Sequence, residues 1–223
     1  MMLTNRDKAI IKDLNKFRVM DRDSIAELHF SNLKNKKDST NHVLLRLLRD
    51  GHIQRSTAFS PYVYFGPEVQ IKKNSAKIGH FLAILETYKE IRKHGHIETF
   101  IVEPKYGSKG LVEPDIYLNF RKTGFFIEVQ KSIYSEKQMH EKIDRYIDLY
   151  NKGILAKPFP HVLILSNHRY ILERDYPFKV FQASSFKEFN HSLKPVERST
   201  SIINNISTHR QSVLIRSGNL KLI

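Results

Sequence analysis

The chain has 223 residues, 40% hydrophobic and 27% charged, enough apolar content to bury a core and enough charge to stay in solution. It has no cysteine, which excludes disulfides and thiolate zinc sites, and no apolar run has the length of a membrane span. The 37 Lys and Arg against 23 Asp and Glu leave a formal charge of +14, which favours a polyanionic partner, nucleic acid first.

The excess is spread along the chain: 14 basic and 8 acidic residues over 1–75, 19 and 14 over 76–194, and 4 and 1 over 195–223. Charge enters within the first seven residues and no apolar run follows, so no signal peptide is expected and the cytoplasm is the expected location. Thr4 followed three residues later by Asp7 reads as an acidic capping box, with Ile10, Ile11, Leu14 and Phe17 as the helical stripe behind it. Asp21 or Asp23 caps a short second helix holding Ile25, Ala26, Leu28 and Phe30. Residues 33–38 read as a lysine-rich loop, and Ser39 or Thr40 opens a third helix with Val43, Leu44, Leu47 and Leu48 on one side, stopped by Asp50-Gly51. Strand-like pieces at 53–58 and 62–65 are joined around Ser60-Pro61. Three short helices followed by a hairpin is the order of a winged helix-turn-helix module, expected over 1–74. The third helix is then the DNA reader, offering Asn41, His42, Arg46 and Arg49, with Lys34, Lys36 and Lys37 ahead of it.

A long helix is predicted over 75–94 with Ile78, Phe81, Leu82, Leu85, Tyr88 and Ile91 buried and Glu86 at the stripe's edge. A strand at 97–102 leads to a Gly-bearing loop at 104–110 that carries Lys105, Tyr106 and Lys109. Strands at 115–120 and 125–130 flank a turn at 121–124, and a helix at 135–151 follows. A buried strand at 161–166, a strand at 178–182 and a helix at 186–193 close a second module, 75–194. Residues 195–223 read as a Ser/Thr/Asn-rich linker and a C-terminal hairpin.

The chemistry concentrates on the hairpin of the second module. Strand side chains alternate faces, so Glu128 and Gln130 point the same way, and pairing of the strands at 115–120 and 125–130 brings Asp115 beside them. Two converging carboxylates with the carbonyl of residue 129 suit Mg²⁺, or Mn²⁺, which takes hard oxygen ligands and activates water for phosphodiester hydrolysis. Glu113 shares Asp115's face. His94 and His96 lie at a helix end without a third ligand nearby in sequence, and they read as solvated groups favourable to the helix dipole.

On these residues the segment 76–182 resembles the PD-(D/E)xK nuclease superfamily, Pro114-Asp115 matching the first half of its motif and Glu128-Val129-Gln130 the second. With a winged helix in front, residues 4–182 resemble the replication-relaxation family of bacterial plasmid and mobile-element proteins. The resemblance implies a restriction-endonuclease-like αβββαβ domain in an α+β or α/β chain. It implies roles for Lys142 and Tyr146, which fit a Lys and Tyr spaced by four on the following helix, and for Glu86, which matches an acid that some relatives contribute from the first helix. The superfamily's strand lysine is Gln130 here, with Lys142 placed to reach the site from the helix and Lys131 on the opposite strand face.

Three functions are expected from this. In the first, a metal-dependent DNA endonuclease or nickase, Asp115 and Glu128 hold the cation, Gln130 or Lys142 orients water or stabilises charge, and Lys105 and Lys109 clamp the strand. In the second, a non-catalytic DNA-binding protein of a plasmid, phage or mobile element acts in replication, transfer or transcription control on a degenerate nuclease fold. The third is an adaptor within a replication complex. The expected partners are double-stranded DNA, a second copy of the chain in a homodimer, and replication-complex proteins; no membrane is expected.

Overall fold

A computed structural model describes residues 2–107, 110–172 and 174–193 of the chain. Helix α1 (Asn5–Phe17) begins as its capping box predicts. Thr4 N–H donates to the Asp7 carboxylate at 2.8 Å and Asp7 N–H donates to the Thr4 hydroxyl at 3.2 Å. Strand β1 (Met20–Asp21) is too short to leave an alternating pattern, so the sequence gives no sign of it. Its Asp21 caps α2 (Arg22–His29) by accepting from Ser24 N–H at 2.8 Å. Helix α3 (Lys36–Arg49) starts earlier than Ser39 or Thr40. Thr40 does not cap it; its hydroxyl donates backward to the Lys36 carbonyl at 2.7 Å, inside the helix. The chain then leaves through Gly51 at φ +74°, a conformation glycine adopts without strain.

Strands β2 (Gln54–Ser56) and β3 (Val63–Phe65) complete a three-stranded antiparallel sheet in the order β1-β3-β2. Helix α4 (Lys77–Arg92) and strands β4 (Ile97–Val102), β5 (Ile116–Phe120) and β6 (Thr123–Val129) follow. Then come α5 (Glu136–Asn151), capped by Ser135, β7 (His161–Leu165), β8 (Val180–Ala183) and α6 (Phe186–Ser192). The second sheet runs β4-β5-β6-β7-β8, antiparallel up to β6 and parallel beyond it. The α5 crossover makes that parallel step. The described residues thus form a mixed α+β chain with six helices, a three-stranded antiparallel sheet and a mixed five-stranded sheet.

The β5–β6 turn is tighter than the expected 121–124. Phe120 pairs with Thr123, and the two residues between, Arg121 and Lys122, both take positive φ (51° and 62°). Two-residue hairpin turns need that geometry, and for a non-glycine residue it costs about 1 kcal/mol or more. Lys122 N–H is held by the Glu98 carboxylate at 3.1 Å.

Strand β6 is buried on both faces. Phe125, Ile127 and Val129 join one hydrophobic cluster, and Phe126 joins another. The first cluster runs without interruption from α1 and the three-stranded sheet through α4 to α6. The second lies under α5, built on Met139, Ile143, Tyr146 and Leu149. Residues Met1–His191 form one compact unit, and the expected C-terminal hairpin lies outside the described residues. Among the described residues no helix is long and apolar enough to cross a membrane.

Candidate functional site

Ile116 pairs with Ile127 in the β5–β6 ladder, so Asp115 and Glu128 come next to one another at its end. Antiparallel partners share a face, and this face is the α5 side of the sheet. Asp115 is turned by two partners: its carboxylate accepts Val129 N–H at 2.7 Å and meets His80 Nε2 at 3.1 Å.

Glu128 is only 1% exposed. One carboxylate oxygen accepts from the Lys142 ammonium, and the other accepts from the Tyr146 hydroxyl at 2.5 Å. Lys142 and Tyr146 are one helical turn apart on α5, so a single helix delivers both donors. Burial, reinforced by the Asp115 charge, pushes Glu128 up to about 7 against the pull of Lys142 and Tyr146. Burial pulls Lys142 down, but the Glu128 and Asp115 charges outweigh it and hold its pKa above the ordinary lysine value. For His80 the hydrogen bond to Asp115 is the largest influence and raises its pKa, helped by the charge of Glu103. Glu103 N–H donates to the Asp115 carbonyl at 2.9 Å, extending the β4–β5 ladder by one bond.

Gln130 follows β6 on the Glu128 face but is drawn toward the end of β7. Its Oε1 accepts from the Tyr170 hydroxyl at 2.6 Å, while its buried Nε2 has no hydrogen-bond partner among the described residues. Lys131 Nζ lies against Gly79 on α4, the face opposite Glu128. Glu113 is exposed.

Glu86 corrects an expectation. Its carboxylate takes the Lys89 ammonium at 2.8 Å and faces Ser24 of α2 at 3.5 Å, in a network that includes Glu27. Glu86 lies six residues beyond His80, roughly 9 Å along the helix axis and about 240° around it. The residue that α4 does bring to Asp115 is His80. It sits among the apolar positions Ile78 and Phe81, and its partner is 35 positions away, so no local pattern marks it.

On α3, Lys36, Lys37, His42 and Arg49 are exposed or partly so, as is Lys34 ahead of the helix, and Asn41 is half-buried. His42, Leu45 and Arg49 form one stripe at helical spacing, with Leu45 56% exposed. Arg49 meets its neighbour Asp50 at 3.0 Å and stays exposed, whereas the Arg46 guanidinium pairs at 2.6 Å with Asp7, whose side chain is 1% exposed, and so ties α3 to the start of α1. Lys105 is exposed, and Lys109 lies outside the described residues.

As arranged, these residues do not fit a resident Mg²⁺ or Mn²⁺. Both Glu128 oxygens and both Asp115 oxygens already have donors or an imidazole partner. Among the described residues no group of three or more His, Asp or Glu stands close enough to cage an ion. The cluster's chemistry is instead that of a closed ionic network, with a lysine where a cation would be needed. No family model, curated protein or solved structure matches the chain.

Proposed function

We propose that this protein binds duplex DNA through a winged-helix module and acts without cutting it, using a nuclease-like domain as scaffold in replication or transfer control of a plasmid, phage or mobile element. One observation carries this reading. The order α1–β1–α2–α3–β2–β3, with its β1-β3-β2 sheet, leaves Lys36, Lys37, His42 and Arg49 of α3 exposed. The net charge of +14 supports it, as does the resemblance to replication-relaxation proteins in the spacing of Asp115, Glu128, Lys142 and Tyr146. The saturation of Glu128 by Lys142 and Tyr146 supports the non-catalytic form of the reading.

The test is fluorescence polarisation with a labelled duplex over a range of salt. The variant Lys36→Ala/Lys37→Ala/Arg49→Ala is expected to bind more weakly, with the slope of log K against log salt reduced by about 0.9 for each phosphate it no longer neutralises. Unchanged affinity removes α3 from the interface.

A second reading, metal-dependent cleavage by Asp115 and Glu128, is favoured by the convergence of those two acids on one face. It requires Glu128 to give up Lys142 and Tyr146. Supercoiled plasmid incubated with Mg²⁺, Mn²⁺ or EDTA separates the two readings: nicking that needs metal and disappears in Asp115→Ala and Glu128→Ala establishes cleavage, and intact plasmid under tight, salt-sensitive binding establishes the scaffold.

A further inference from the structure

A cleft of about 620 Å³ opens beside the acidic site, between the segment that follows β3 and the first turns of α4. Arg18, Lys72, Lys77 and Lys105 are among its lining residues. None of the four has a carboxylate partner among the described residues. The arginine donates at 3.4 Å to the Asn15 carbonyl, a neutral acceptor that leaves its charge uncompensated. This sets the four apart from Arg46, Lys89 and Lys142, each held by an acid. Two carboxylates, Glu68 and Glu103, also line the cleft, so the lining keeps an excess of positive charge.

Uncompensated cations on the walls of one concavity focus a positive potential into it. The apolar floor has one aromatic ring, Phe81, only 2% exposed, which offers no platform on which a base could stack. The lining therefore suits phosphate groups and not bases. Glu103 in the lining donates its main-chain N–H to the carbonyl of Asp115, the partner of His80.

We propose that this cleft holds a stretch of nucleic-acid sugar–phosphate backbone, gripped without regard to sequence by Arg18, Lys72, Lys77 and Lys105. The assignment rests on the DNA-binding reading above and adds a second surface to it, distinct from α3.

The experiment measures binding of the full chain to a fluorescein-labelled duplex as salt is varied. It compares Lys72→Ala/Lys77→Ala/Lys105→Ala with a triple of equal charge loss elsewhere, Lys152→Ala/Lys179→Ala/Lys187→Ala, all three exposed and outside the cleft. Matching urea midpoints confirm that both variants fold. The cleft triple is expected to lower the salt slope by about 2 to 3, at about 0.9 for each phosphate left unneutralised, and the control triple by less than about 1. Equal slopes for the two triples overturn the proposal, and they do so while leaving the α3 reading intact if the α3 variant still binds weakly. A lowered slope in the cleft triple together with wild-type binding by the α3 variant supports the cleft and removes the reader helix instead. Displacement of the duplex by micromolar ATP would also overturn the proposal, since it would make the cleft a pocket for a free nucleotide.

Discussion

Lys142→Met removes the ammonium that holds Glu128 in its charged form and leaves the Tyr146 hydroxyl as the carboxylate's remaining partner. The cost of this change depends on pH. Glu128 has a pKa of about 7 in the folded protein against an ordinary value of 4.5. Because the folded value is the higher one, the native state holds this proton more tightly. The Glu128 contribution to stability therefore falls as pH rises from 4.5 to about 7, and then levels off once both states are ionised. Without Lys142 the carboxyl moves higher, toward the range of roughly 8–9 known for buried glutamates, and the fall continues to that pH. At pH 7 the wild-type group is already half protonated, so this part of the penalty is below about 0.5 kcal/mol. At pH 9 it reaches roughly 2 kcal/mol, since each tenfold change in proton affinity is worth about 1.36 kcal/mol. Urea unfolding of wild type and Lys142→Met at pH 7 and pH 9, with equal m-values, checks it. Adding Glu128→Gln to Lys142→Met should abolish the growth with pH. A destabilisation equal at the two pH values, or larger at pH 7, would refute the buried-pair account.

Arg46→Ala is expected to cost about 2 kcal/mol in urea unfolding, because it leaves the buried Asp7 carboxylate without its charged donor. Asp7→Asn in the same background should recover part of that loss. Gly66→Ala should destabilise by about 1–3 kcal/mol, since a Cβ there would meet Asn15 Oδ1 at 1.8 Å and the Asn15 backbone nitrogen at 3.0 Å; a midpoint unchanged from wild type would refute the close approach of β3's exit to α1. His80→Gln removes a group whose pKa the Asp115 hydrogen bond raises. Protonated His80 stabilises the fold fully below 6.5, and that stabilisation disappears as pH rises through the raised value, so melting curves of the variant should lack this component of the alkaline decline.

Much of the architecture was legible because its determinants are local. Thr4 with Asp7 marks a helix start within four residues, and β6 and α5 follow periods of two and 3.6. The same periodicities put Glu128 beside Asp115 and put Lys142 one turn from Tyr146. The miss at the start of α3 was also local: Ser39 and Thr40 resemble caps, but the Lys36–Asp38 turn is compatible with helix and absorbed them. Other features had no signal in the chain. His80 on Asp115, Tyr170 on Gln130, Arg46 on Asp7 and Ser24 on Glu86 join elements whose relative placement is set by packing of the two hydrophobic clusters. Alternation along β6 placed Glu128 on one face of the sheet before any fold was known. Whether that acid faces water, a metal or a lysine depended on how α5 docks over the sheet, and its docking buried Glu128 against Lys142 and Tyr146 because Met139, Ile143 and Leu149 carry the helix's apolar side into the core.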